Sequence, residues 1–111
     1  MKRPLIFICS PYCGDVEANL KSARRYCRFA IEKGDIPFAP HLLFTQFLDD
    51  SVSREREAGL SMGVEMLSLC DELWVFGQPT AGMAREISEA ARLGVPVRRF
   101  DTRCNEVMGD E

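Results

Sequence analysis

The chain has 111 residues, 46% of them hydrophobic and 28% charged, with a net charge of −3 and a pI of about 5.2. That size is one domain with room for its own core. The acidic balance excludes a nucleic-acid binder that relies on a basic face. No apolar run reaches the roughly 18 residues of a spanning helix.

The first residues, Met1-Lys2-Arg3-Pro4 followed by an apolar run, mimic a weak signal peptide. The run is too short, and Pro11 and Asp15 follow at once. Leu5 to Cys9 therefore reads as a buried strand. The loop Ser10-Pro11-Tyr12-Cys13-Gly14 breaks it. Asp15 is placed to cap a helix in which Val16, Leu20, Ala23, Cys27, Ala30 and Ile31 recur at helical spacing. Gly34 ends that helix by tolerating the left-handed conformation.

Ile36-Pro37-Phe38-Ala39 is a short strand, with Pro37 confined to its start or to a sheet edge. Residues 42–52 read as a loop with a possible helical turn, whose Leu43, Phe44, Phe47 and Leu48 pack over something. Ser53 is expected to cap a helix from about Arg54 to Leu69, with Leu60, Val64 and Leu67 inward. Gly59 and Gly63 each cost that helix about 1 kcal/mol. The expected return is close approach of another backbone, in this chain or in a partner.

Leu73 to Phe76 is a second buried strand, and residues 77–82 are turn-rich. Met83, Ile87, Ala90 and Ala91 mark a helix that stops at Gly94. Val95-Pro96-Val97 opens a final strand. The expected organisation is a domain over residues 1–101 and a loose or partner-bound tail over 102–111.

Strands alternating with helices predict an α/β fold: a single-domain, flavodoxin-like or Rossmann-like parallel sheet of about four or five strands with helices on both faces. Ligands of such sheets bind outside the carboxyl ends of the strands. Three loops converge there: residues 10–14, 40–43 and 77–82.

Ser10, Tyr12 and Gly14 in the first loop are candidates for sugar or phosphate contact, or else form an ordinary strand-to-helix turn. In the third loop, Thr80 and the backbone through Gly82 and Met83 stand at a helix N-terminus, where free N–H groups and the helix dipole suit an anion. Glu86 lies one turn further in. There an ionised carboxylate suits an oxocarbenium-like centre, although a solvated glutamate in a first turn is also common. His41, the one histidine, follows a strand, where a neutral imidazole can contact a base or sugar. Arg54 and Arg56 can bind phosphate, but alternating Arg and Glu usually marks a solvated helix start. Asp71 precedes a strand, on the opposite edge, and reads as structural.

The five cysteines, Cys9, Cys13, Cys27, Cys70 and Cys104, are odd in number and fit no zinc spacing. They predict a reducing, cytoplasmic setting without a disulfide framework.

Three stretches together resemble the nucleoside 2-deoxyribosyltransferase superfamily, which includes the 2′-deoxynucleoside 5′-phosphate N-hydrolases. They are residues 6–14, residues 71–77, and Gln78 through Ile87 with its Thr80–Gly82–Glu86 spacing. The resemblance spans about residues 5 to 98. It implies a flavodoxin-like sheet and cleavage of the N-glycosidic bond of deoxynucleosides or their 5′-phosphates. It also implies Glu86 as nucleophile, a 5′-phosphate contact at Thr80, and Tyr12 flanking the sugar. A homodimer or higher homo-oligomer with shared sites is implied as well.

One departure stands out. The family's aspartate in the helix before the Asp71-type strand aligns with about Gly63, and no aspartate lies between Ser53 and Cys70. The expectation is therefore an N-glycosidase or 2-deoxyribosyltransferase acting through Glu86. The alternative is a non-catalytic nucleotide-binding module of the same fold. The expected partner is a small nucleoside or nucleotide, with no polymeric nucleic acid, no membrane, no metal and no organic cofactor.

Overall fold

Alternation along the two central strands sets the architecture. In β1 (Leu5–Cys9), Phe7 and Cys9 face one way and Ile6 and Ile8 the other. In β3 (Glu72–Phe76), Leu73 and Val75 join the first set, and Trp74 and Phe76 the second. Both faces are buried, so the strands read as unbroken apolar runs. The computed structural model describes residues 2–108.

Between β1 and β3 lie α1 (Val16–Glu32), β2 (Ile36–Phe38), α2 (Pro40–Leu43), a 3-10 turn (Phe44–Gln46) and α3 (Ser53–Leu67). After β3 come α4 (Ala81–Leu93), β4 (Val97–Phe100) and β5 (Glu106–Val107). The sheet order is β2-β1-β3-β4-β5. The first four strands are parallel, and β5 pairs antiparallel with β4. This is the flavodoxin-like order, whose direction of winding reverses between β1 and β3. The expected α/β class and parallel sheet are thus present.

α1 covers one face, where Tyr26 and Ala30 pack with Ile6, Ile8, Trp74, Phe76 and Phe100. α3 and α4 cover the other, where Leu67, Met83 and Ala90 meet Phe7, Cys9, Leu73 and Val75. The inward stripe of α1 differs from the expected one. Its anchor is Tyr26, whose ring lies 4.1 Å from that of Phe76 and nearly parallel to it. Val16 and Ile31 are exposed instead. A large aromatic buries more area than either aliphatic, and so sets the rotation of the helix.

Asp15 caps α1, its Oδ1 accepting from the Ala18 N–H at 3.2 Å. Ser53 does not cap α3. The cap is Val52, without a side-chain bond, and Ser53 is the first helical residue. The entrance to α3 is fixed instead by Glu55, whose Oε1 accepts from the Asp49 N–H. Asp71 on the far edge is structural, as expected: its Oδ2 accepts from the Leu5 N–H at 2.8 Å and ties the starts of β1 and β3 together.

The segment expected as a loose or partner-bound tail forms, over Glu106–Val107, an edge strand. Arg98 holds it with two bonds to the Glu106 carboxylate, at 2.9 and 2.6 Å. The guanidinium also lies over the Trp74 ring. Residues 109–111 of that expectation lie outside the described residues. No helix among the described residues is long and apolar enough to cross a membrane.

Candidate active site

Two loops flank the reversal between β1 and β3. The loop after β1 leaves the sheet at buried Ser10 and turns at Gly14, whose φ of +99° favours glycine. A residue not singled out in the sequence pins this loop. Asn19 of α1 donates from its Nδ2 to the carbonyls of Tyr12 and Cys13, both at 3.0 Å.

The loop after β3 ends in Thr80, the N-cap of α4. Its hydroxyl accepts from the Met83 N–H at 3.3 Å, and the Met83 sulfur approaches the Thr80 N–H at 3.5 Å. Thr80 is exposed, whereas the Met83 side chain is in the core. The Met83 N–H, expected to help hold an anion, is therefore committed to the cap. The amides of Ala81 and Gly82 are the ones left at this helix end.

Glu86 follows on α4 and is half-buried. It lines a small cleft, open to solvent, between α4 and the wall formed by α2, the 3-10 turn and α3. His41, Asp50, Glu55, Arg56 and Gly63 line the same cleft. A narrower recess beside it is shared by Gly82, Arg85, Glu86 and Gly63.

Burial pushes the Glu86 carboxyl up to about 7, offset in part by a hydrogen bond from the Cys9 thiol and by the charge of Arg85. Cys9 sits under it at the end of β1, fully buried, and desolvation holds its thiol well above the ordinary range. That thiol has one proton for two acceptors, the Glu86 carboxylate and the Met83 carbonyl oxygen 3.8 Å away. The carboxylate is the stronger acceptor when ionised.

His41, in the cleft's lining, is one half of an aromatic pair. Tyr12 stacks on His41 with ring centroids 5.0 Å apart and planes 25° from parallel. Desolvation lowers the His41 pKa, and the nearby Asp50 charge raises it in part, so the neutral imidazole prevails near pH 7. Desolvation, and then the Asp50 carboxylate, push Tyr12 up. His41 is further held by its own carbonyl, which accepts from the Thr45 hydroxyl.

The two glycines of α3 answer to this cleft. A Cβ at Gly59 would meet Leu48 Cδ1 at 3.6 Å. A Cβ at Gly63, though the residue is buried, would meet nothing within 4 Å and would enter the space beside Glu86. No other backbone among the described residues comes within 4 Å of that Cβ. The glycine leaves room in the cleft.

Of the residues singled out from sequence, Glu86 and His41 share the cleft. Tyr12 joins it through the stack, and Gly82 shares the recess. Ser10, Gly14, Thr80 and Met83 line neither space. Asp50, Asn19 and Cys9 were not foreseen as site residues. Asp50 and Asn19 act across turns that carry no periodic signal, and Cys9 reads as an ordinary core residue. Arg56, read as a solvated helix start, lines the cleft. Among the described residues no cluster of three or more His, Cys, Asp or Glu has a metal-holding arrangement.

Residues 4–100 match the family described as "Domain of unknown function (DUF7768)". No curated protein matches by sequence. Among solved structures, the chain is similar to a 2-deoxyribosyltransferase from Bacillus psychrosaccharolyticus, with a TM-score of 0.73 and 19% identity, covering 95% of this chain and 77% of that one. It is also similar to the 2-desoxiribosyltransferase from Leishmania mexicana, with a TM-score of 0.66 and 18% identity, covering 88% of this chain and 64% of that one. The fold is that of the 2-deoxyribosyltransferases, as the resemblance implied.

Proposed function

This chain belongs to the DUF7768 family, and we propose that it cleaves the N-glycosidic bond of a nucleoside or nucleotide with Glu86 as nucleophile. The observation that carries the reading is the Glu86 carboxylate, half-buried and titrating near 7, at the cleft beside the sheet's reversal point. A carboxylate so placed is poorly solvated and ready to attack the anomeric carbon. The base departs with the bonding electron pair, and a glycosyl ester forms on Glu86. Water then releases the sugar, or a second base accepts it. Ser10, Tyr12, Gly14 and His41 frame the sugar and base in this reading. Thr80, with the free amides of Ala81 and Gly82, borders a 5′-phosphate in this reading.

Incubation with deoxynucleosides and their monophosphates, with free base followed by chromatography, tests this. The parent protein is expected to release base. Glu86→Gln is expected to lose at least about three orders of magnitude in rate, the scale of losing a covalent catalyst. Equal release by both proteins would remove Glu86 from the mechanism. If Thr80 borders a phosphate, Thr80→Ala should weaken the preference for monophosphates by roughly 1–2 kcal/mol.

One observation favours a second reading, a non-catalytic nucleotide-binding module. At Gly63, where the resemblance expects a second acid, there is open space and no side chain. That reading predicts nucleotide binding without base release.

A homodimer or higher homo-oligomer is part of the first reading. It is supported by the apolar groove along the outer side of α3, where Leu43, Met62 and Leu69 are exposed beside Phe38 and Phe44. The five free cysteines fit a reducing, cytoplasmic setting.

A further inference from the structure

The cleft holds Glu86 together with further carboxylates and with His41, on which Tyr12 stacks. We propose that it selects an N-glycoside whose base already carries a positive charge, such as an N-alkylated purine or pyridinium nucleoside. The inference rests on the reading of Glu86 as nucleophile and names the substrate class for it.

A neutral base departs from an anomeric carbon as an anion unless a general acid protonates it. The groups around this cleft supply that acid poorly. Gly63 offers no side chain, and the space beside it is open. Desolvation lowers His41, which leaves the imidazole neutral near pH 7, and pushes Tyr12 up. Glu55 is engaged with the Asp49 N–H. A cationic base needs no proton. As a Glu86 oxygen bonds to C1′, the C1′–N pair passes to the base, which leaves neutral. Water then hydrolyses the ester, yielding the free sugar and one proton and restoring the carboxylate.

Recognition of the base points the same way independently. Tyr12 and His41 present a stacked face, centroids 5.0 Å apart. The Asp50 carboxylate acts on both rings as a negative charge. A planar cation is held by an aromatic face through its quadrupole and by a nearby carboxylate through its charge. Asp50, Glu55 and Glu86 line the cleft against two guanidiniums, that of exposed Arg56 in the lining and that of Arg85 beside Glu86 in the adjoining recess. The balance of charge favours a cation over an anion.

The test compares 7-methyl-2′-deoxyguanosine with 2′-deoxyguanosine, which differ by one methyl and its charge. Base release is measured with the intact protein and corrected for spontaneous loss, and binding is measured by calorimetry on Glu86→Gln. Release from the methylated nucleoside is expected to be at least about tenfold faster, with binding at least about tenfold tighter. Asp50→Asn is expected to reduce the binding ratio by about tenfold. Equal, Glu86-dependent release from both nucleosides would overturn the cation preference while supporting the nucleophile. Selective binding of the methylated nucleoside without release would support the preference and overturn the cleavage reading. Equal binding without release would overturn both.

Discussion

Glu86 stores a conflict that can be measured without any ligand. Its carboxyl titrates near 7 in the folded protein against 4.5 ordinarily, because burial disfavours the charge. Between those values the folded state binds more protons than the unfolded one, so stability falls as pH rises from about 4.5 to about 7. Above 7 the ionised group costs the fold at most roughly 3 kcal/mol, at 1.36 kcal/mol per unit. Glu86→Gln removes that cost. Denaturant unfolding should therefore show the variant stabilised at pH 8 and the gain shrinking toward pH 5. A gain independent of pH would show that the carboxyl is not desolvated. Catalysis has the opposite sign. The nucleophile must be ionised, so base release is expected to rise through about pH 7 and level off above it.

Gly63 gives a companion experiment at the same scale. A Cβ there meets nothing within 4 Å, so Gly63→Ala should stabilise α3 by about 1 kcal/mol through helix propensity. The same methyl narrows the cleft beside Glu86, so ligand binding should weaken. Stabilisation with unchanged binding would show that the glycine does not serve the cleft.

At the scale of elements, the strands and helices that carry the fold were legible because their signals are periodic. Phe7 and Cys9 alternate with Ile6 and Ile8, and Met83 through Ala90 keep helical spacing. Elements set by single tertiary contacts were not legible. α2 begins at Pro40 with no side-chain cap, and the 3-10 turn leans on Phe38 through Phe44. β5 is two residues long and depends on Arg98 gripping Glu106. Arg98→Ala is expected to free residues 106–107 from β4, seen as loss of amide protection there, and to leave β1 and β3 protected. Because the pair is partly exposed, the cost in global stability should stay near 1 kcal/mol. Of the residues in or beside the candidate cleft, His41 and Gly82 were singled out from loop position, and Glu86 and Tyr12 from position together with the family resemblance. Asp50, Asn19 and Cys9 were not, since each acts on a residue from another segment. Asn19→Ala tests that dependence. Loss of its two bonds to the Tyr12 and Cys13 carbonyls should loosen the Tyr12–His41 stack and weaken nucleoside binding several-fold, with about 1 kcal/mol lost in stability.

For the whole molecule, the sheet order explains why the site lies where it does. Winding β1 to β2 in one direction and β3 to β4 in the other puts α1 on one face and α3 and α4 on the opposite face. The gap at the reversal opens between the loops that follow β1 and β3, where ligands of such sheets bind. The outer side of α3 leaves Leu43, Met62 and Leu69 exposed along a groove. Sedimentation at about tens of micromolar is expected to show at least a dimer, the range in which modest interfaces associate. A monomer at that concentration would remove the oligomer from the account. The central claim, that Glu86 takes the sugar, is tested most directly by acid quench of the protein with 7-methyl-2′-deoxyguanosine or a deoxynucleoside monophosphate, followed by intact-mass and peptide analysis. The predicted result is one added deoxyribosyl group on the peptide containing Glu86, absent from Glu86→Gln. Base release with no adduct on that peptide, or an adduct on another residue, would contradict it.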